Sequence, residues 1–507
     1  MLTIDGNHLT LEDFVAVARH HEKVRIAEES IEKVHKANAY INSLVEKGDP
    51  VYGVNTGFGH LSEMSINRCD TSKSQENLLL SHACSVGDVL DEESIRGMLL
   101  LRINALIKGY SGIRLNVIEK LLELLNKNCI PVVFSKGSLG ASGDLAMLAH
   151  MALPVLGQGE VLVKGERRPA KEGLKEYDIE PIGHLEAKEG LCLINGTQAM
   201  NSIGGLALYD ALHLERLASA SLSMSMEALG GIIDVFDEDI HQLRNHQGQI
   251  DVAKRMRHHL KGSTYVTRQG EDRIQDAYSL RCSPQVHGAT LAALRHCRSI
   301  LVSEMNAVTD NPLVFPAEDK VLSAGNFHGQ SLALALDYLA IAVSELANIS
   351  ERRIERMVND DLSNGLPSFL TEKPGLNSGF MIVQYSAASL VSENKVLAHP
   401  GSVDSIPSSA NQEDHVSMGM TSARKAREII ANTQKVLAME LLCAAQAIDF
   451  KGKGQLGKMS EVLYHEIRER VQHVETDTLM YPHIHRLEAW VMSDAIRDHL
   501  KKEDFHA

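Results

Sequence analysis

Apolar residues recur at intervals of three and four along five stretches of the chain, near 196–229, 284–309, 328–358, 378–398 and 420–449. That period puts them on one face of an α-helix, so each stretch predicts a helix of many turns. Helices this long bury their stripes against one another, and the pattern predicts a bundle. The segments between them, 269–282, 309–326 and 399–415, are polar and read as loops. A rigid bundle with chemically loaded loops is a common way to build a site. The longest apolar run, 331–349, is interrupted by Asp337 and Glu345, which predicts a core helix and no membrane span.

The first two hundred residues have another texture. Short helical patterns alternate with Gly-rich turns at 52–59, 108–112 and 137–143, and the Lys/Glu/Gly-rich segment 163–188 reads as a surface loop or small hairpin. The expected organisation is mainly α. A mixed N-terminal head over 1–200 carries the Ala-Ser-Gly loop, and an elongated bundle of long central helices over 201–507 carries polar loops and a charged helical tail. No internal repeat is visible.

Composition sharpens this picture. Aromatic residues are only 4% of the 507, with Trp490 the single tryptophan, while Leu, Ala and Met dominate the apolar set. Those are helix formers, and the β-branched and aromatic residues that favour strands are under-used. The net charge of −15, with no lysine- or arginine-rich block, argues against nucleic acid or an anionic membrane as partner. Seven scattered cysteines, never spaced CxxC, read as thiols in a reducing compartment. The first residues, MLTIDGNHLTLEDF, lack the basic region and apolar run of a secretory signal, so a cytoplasmic location is expected. The histidine pairs His20-His21 and His258-His259 lack ligand spacing on a helix, and no metal is expected.

The segment Gly137-Ser-Leu-Gly-Ala-Ser-Gly-Asp-Leu145 invites a phosphate-binding reading, because helix starts present free N–H groups. Its spacing fits neither GxxxxGK[ST] nor the dinucleotide fingerprint. A plain structural loop is one alternative. Another follows from the residue types at Ala141-Ser142-Gly143. In a tightly bent loop the Gly143 nitrogen can attack the Ala141 carbonyl, since glycine permits unusual backbone angles and alanine obstructs little. Loss of two waters leaves an exocyclic methylene conjugated to a carbonyl, the electrophile 4-methylidene-imidazole-5-one (MIO). Its place at a helix start would sharpen its electrophilicity.

Seven blocks in order carry a resemblance to the aromatic amino acid ammonia-lyase family. They are Tyr52-Gly-Val-Asn-Thr-Gly-Phe-Gly59, the loop 137–145, Leu193-Ile-Asn-Gly-Thr-Gln198, Gln275-Asp-Ala-Tyr-Ser-Leu-Arg-Cys-Ser-Pro-Gln285, Asp310-Asn-Pro312, Gly325-Asn-Phe-His328 and Ala410-Asn-Gln-Glu-Asp-His415. One departure is Met147, where the family usually has proline. The resemblance implies an ammonia-lyase/fumarase-like helical fold, an MIO group made from Ala141-Ser142-Gly143 with no external cofactor, and a homotetramer with active sites shared between subunits. It implies a catalytic set of Tyr52, Tyr278 and Glu413 beside the tripeptide, with Asn195, Gln275, Arg281 and Phe327 holding the substrate. Arg281 would clamp a carboxylate with two parallel donors. Tyr52 would remove a β-proton, which requires a phenol made more acidic than its ordinary value near ~10.

Two further positions separate branches of the family. Leu80-Ser81-His82-Ala83 and Glu413 resemble the branch acting on L-histidine, and an imidazole ring suits a histidine and a carboxylate as partners. A buried carboxylate beside a phenyl ring would be costly. The resemblance therefore implies elimination of ammonia from L-histidine to trans-urocanate, the opening step of histidine breakdown. Alternatives are a tyrosine or phenylalanine ammonia-lyase or aminomutase, a fumarase-like lyase without the ring, or a non-catalytic helical scaffold.

Overall fold

Five long helices form where the apolar period is helical: Gln198–Ala228, Ser283–Met305, Gln330–Val358, Met381–Leu397 and Gly419–Asp449. The computed structural model describes residues 1–48 and 50–502, so the last five residues of the expected tail lie outside the described residues. Among the described residues helices dominate and the strands are short, as a mainly α chain should be. The Gln198–Ala228 helix is buried on nearly every face over its second half. Even its alternating serines, Ser219, Ser221, Ser223 and Ser225, are fully buried. Ser223 Oγ donates to the Ala220 carbonyl at 2.6 Å, the local bond by which a helical serine satisfies itself away from water.

The chain forms two compact units, each drawn from three separate stretches. The first comprises Met1–Tyr209, Cys297–Asp337 and Pro400–Arg424; the second comprises Asp210–His296, Tyr338–His399 and Lys425–Ala507. Among the described residues, the small sheets all lie in the first unit. The segment 163–188 contributes to the hairpin Glu160–Val163/Glu166–Pro169, and then forms a helix, Ala170–Glu176, that the loop expectation missed. Ala170, Gly173 and Leu174 turn inward there, a stripe too short to read as periodic. The expected loop 309–326 likewise contains a hairpin, Leu313–Phe315 with Lys320–Leu322. Val314 anchors it by packing into a cluster with Ala37, Ile41 and Val54.

The helix Glu92–Leu106 of the first unit is buried along nearly its whole length, including Arg96, Arg102 and Asn104. Arg96 meets the demand for partners by donating to the carbonyls of Val17 and Leu125. The Gln330–Val358 helix is long and apolar enough to cross a membrane by length and composition, despite Asp337 and Glu345. Its apolar window is 67% buried inside the protein, which is the environment of a core helix.

In the second unit the Arg353 guanidinium and the Glu440 carboxylate are both fully buried and paired. Arg353 Nη2 donates to Glu440 Oε2 at 3.0 Å, and Ser225 and Ser350 donate to the two carboxylate oxygens. Such a pair contributes little over an apolar filling, but removing one partner strands a buried charge. Glu440→Leu is expected to lower stability by about 3–5 kcal/mol, read as a lower urea midpoint; an unchanged midpoint would show that water reaches Arg353.

Candidate functional site

Gly143 lies against Gly196 with no side chain between them. A Cβ added to Gly143 would sit 2.0 Å from the Gly196 carbonyl oxygen, and its φ of +72° already favours glycine. The same turn, 195–197, joins the helix Glu189–Ile194 to Gln198–Ala228 and grips the tripeptide twice more. Asp144 N donates to Gly196 O at 2.7 Å, and Asn195 Nδ2 donates to the Ser142 carbonyl at 3.1 Å. The loop is therefore held tightly bent at the three residues whose chemistry depends on bending.

Four helix N-termini converge on this loop. The helix Leu145–Ala152 starts directly after it, with the Asp144 carboxylate accepting from Ser138 Oγ and from Met200 N in the first turn of Gln198–Ala228. Gly329 N donates to Gly140 O beside the start of Gln330–Val358, and Met418 N donates to Leu139 O beside the start of Gly419–Asp449. Helix starts carry partial positive charge, so this loop sits in a field that favours developing negative charge. Burial pushes the Asp144 carboxyl up to about 6, against the hydrogen bonds that lower it. Met147, in place of the family's usual proline, is fully buried within an unbroken Leu145–Ala152 helix.

A cavity of about 1350 Å³ opens over the tripeptide. Tyr52, His82, Ala141, Ser142, Asn195, Phe327 and Glu413 all line it, and all belong to the first unit. Ser142 Oγ donates to Glu413 Oε1 at 2.7 Å, while Ser408 Oγ donates to Glu413 Oε2 at 2.9 Å. The loop that carries Glu413 holds Ser409, Ala410 and Asn411 at φ of 52°, 51° and 68°. Three consecutive non-glycine residues in the left-handed region store strain of the kind that concentrates at functional sites. The Tyr52 hydroxyl accepts from Gly59 N at 3.2 Å, which ties the phenol to its own Gly-rich turn.

Gln275, Tyr278 and Arg281 belong to the second unit. Tyr278 is 69% exposed, and Arg281 stacks its guanidinium 4.4 Å from that ring while Nε donates to Asp276 O at 2.9 Å. The segment 269–282, expected as a loop, forms the short helix Tyr278–Arg281. Several cavity or loop residues escaped the sequence reading. Ser408 and Ser138 are ordinary serines whose partners, Glu413 and Asp144, stand close in sequence and are set by the way each loop folds. His328 and His415 line the cavity with rings 5.9 Å apart and parallel within 2°. His328 closes the block Gly325–His328 and His415 closes the block Ala410–His415, and those two blocks were the available signal.

His82 ends the helix Thr71–His82, and its Nδ1 lies 3.0 Å from Ser81 Oγ. Burial depresses its pKa most strongly; a hydrogen bond at Leu78 and the Glu413 charge push the other way. His82 is expected to titrate below the ordinary histidine value of about 6.5, and so to be neutral at pH 7. Glu413→Gln removes an upward influence and should lower the midpoint further. Ring NMR shifts followed through pH, assigned with His82→Gln, check this; a midpoint that rises in the variant would contradict it.

Residues 9–469 match the family described as aromatic amino acid lyase. Histidine ammonia-lyase from Bacillus subtilis is 53% identical, over 99% of this chain and 99% of its own. Among solved structures, histidine ammonia-lyase from Trypanosoma cruzi superimposes with a TM-score of 0.93 at 42% identity, covering 100% of this chain and 96% of that one. A tyrosine aminomutase from Streptomyces globisporus superimposes with a TM-score of 0.95 at 36% identity, covering 100% and 99%. A match of this length, with relatives more than half identical from end to end, means that the chain belongs to the aromatic amino acid lyase family.

Proposed function

We propose that this chain eliminates ammonia from L-histidine to give trans-urocanate, as a histidine ammonia-lyase. The observation that carries this reading is the pairing of His82 and Glu413 on one cavity, with Glu413 bonded to the Ser142 hydroxyl. Those two side chains can satisfy both nitrogens of a substrate imidazole, whereas a phenyl ring would leave the carboxylate without a donor and a phenol offers one polar atom where the imidazole offers two.

The tripeptide fits the expected prosthetic group. Gly143 is the residue the crowding against Gly196 demands, Ala141 is small, and the Ser142 hydroxyl has a carboxylate partner. Ring closure joins Gly143 N to the Ala141 carbonyl carbon; that oxygen leaves as water with the amide hydrogens of Gly143 and Ser142. The Ser142 hydroxyl then leaves as a second water with the Ser142 α-hydrogen. The finished MIO group supplies an electrophile to the substrate, which makes ammonia a better leaving group.

In turnover, Tyr52 Oη takes the β-proton, and Tyr278 Oη assists proton delivery to the departing amine. The Arg281 guanidinium holds the substrate carboxylate as a two-pronged donor. Asn195 and Gln275 hold the ring and the substrate by hydrogen bonds, Phe327 packs against the imidazole, and Glu413 stabilises positive charge on it. These roles suit a homotetramer whose sites draw on more than one chain. The exposed Tyr338, Ile341, Ile382, Tyr385 and Val396, each 43% to 74% exposed, are an apolar surface for such partners. We place the enzyme in the cytoplasm, where its free thiols stay reduced.

Incubation with L-histidine is expected to raise urocanate's ultraviolet absorption, while L-tyrosine and L-phenylalanine yield no cinnamate-type product or β-amino acid. Ser142→Ala should lose nearly all activity at an unchanged unfolding midpoint; an active variant would refute the role of Ser142. Glu413→Gln keeps size and hydrogen bonding but removes charge, so its effect should fall on kcat more than on KM. The loss is expected on the order of 2–4 kcal/mol, about thirty- to a thousandfold in rate. Wild-type kcat in that variant would refute the assignment of Glu413.

A further inference from the structure

Arg102 is fully buried on the helix Glu92–Leu106, and the described residues give it no ion-pair partner. All its hydrogen bonds go to one turn. Nη1 donates to Asn195 O at 2.8 Å and to Gln198 Oε1 at 3.1 Å, and Nη2 donates to Cys192 O. Its Nε is buried with no partner, a cost the fold accepts to place the other two nitrogens. The carbonyls it takes belong to the C-terminal turn of Glu189–Ile194 and to the residue just after it, where helical acceptors lack partners of their own.

The guanidinium also lies directly behind Gly196. A Cβ on Gly196 would meet Arg102 Nη1 at 2.5 Å and Gln198 Oε1 at 2.4 Å, while on its other side Gly196 crowds Gly143. Arg102, Gly196 and Gly143 therefore form a stack without slack. If Arg102 withdrew, the turn would lose what keeps it from receding, and Asn195 would lose the anchor that aims its amide at Ser142.

We propose that Arg102 is the positioning residue for ring formation: it holds the 192–198 turn forward against Ala141-Ser142-Gly143, so that the loop stays bent enough for Gly143 N to reach the Ala141 carbonyl. This rests on the reading of the tripeptide as the MIO precursor. It assigns Arg102 to the maturation of the enzyme and gives it no contact with substrate.

The test compares wild type, Arg102→Lys and Gln198→Leu. Lysine keeps the charge but cannot span three acceptors, and Gln198→Leu removes one acceptor while leaving the guanidinium in place. The mass of the peptide spanning 137–145 reports the matured fraction, and kcat is expressed per matured site. Arg102→Lys is expected to fold with wild-type circular dichroism yet show a matured fraction or maturation rate lower on the order of tenfold, the equivalent of one lost hydrogen bond to a charged group. Its matured sites should show a smaller loss of kcat than the loss of maturation, because Asn195 shares the same anchor. Full maturation in folded Arg102→Lys overturns the proposal. Should that variant not fold, Gln198→Leu decides: slowed maturation at an unchanged unfolding midpoint supports the clamp, and full maturation overturns it. Wild-type protein that lacks the loss of two waters overturns the ring and the clamp together, whereas loss in wild type with full maturation in the variants overturns the clamp alone.

Discussion

Two glycine backbones in direct contact set the terms for everything else in the site. Gly143 lies so close to Gly196 that a side chain on it would run into the Gly196 carbonyl, while one on Gly196 would run into Arg102 and Gln198, and the approach is what bends the Ala-Ser-Gly loop. Close-packed interiors transmit such constraints because they do not deform smoothly. The turn cannot recede without disturbing Asn195, Gln198 and Arg102, and the loop cannot straighten without breaking the bond from Asp144 N to Gly196 O.

Around that contact the long helices do electrostatic work as well as structural work. Three of them, with the short helix Leu145–Ala152, begin at the loop, so the positive ends of their dipoles face the residues whose chemistry needs negative charge stabilised. Glu413 sits across the cavity on a strained segment. Its carboxylate accepts from Ser142 in the uncyclised loop, a bond lost with that hydroxyl when the ring forms, and from Ser408, whose hydroxyl keeps it oriented before any ligand arrives. Preorganised groups of this kind spend little on reorganisation during a reaction.

Much of this was legible in the sequence because helical period survives in composition. Stretches such as 420–449 bury one face over many turns, and the helix Gly419–Asp449 follows them closely. Short elements were not legible: Ala170–Glu176 has three inward residues, and the hairpin at Leu313–Phe315 depends on a distant pocket for Val314. Units assembled from three separated stretches leave no local mark at all. Within the site, Ser142, Glu413, His82 and Asn195 were readable from motif blocks, and the cavity gathers them. Arg102 was not, since a lone arginine inside an apolar run signals burial without saying what it holds. Tyr278 and Arg281 were readable as a block, and they belong to the second compact unit.

The most direct measurement is the mass of the peptide containing Ala141-Ser142-Gly143, taken on the same wild-type preparation whose activity on L-histidine is assayed. The account predicts a peptide lighter by two waters, in a share of chains that tracks specific activity from one preparation to the next. A fully active preparation whose peptide has the mass of the unmodified sequence would contradict it.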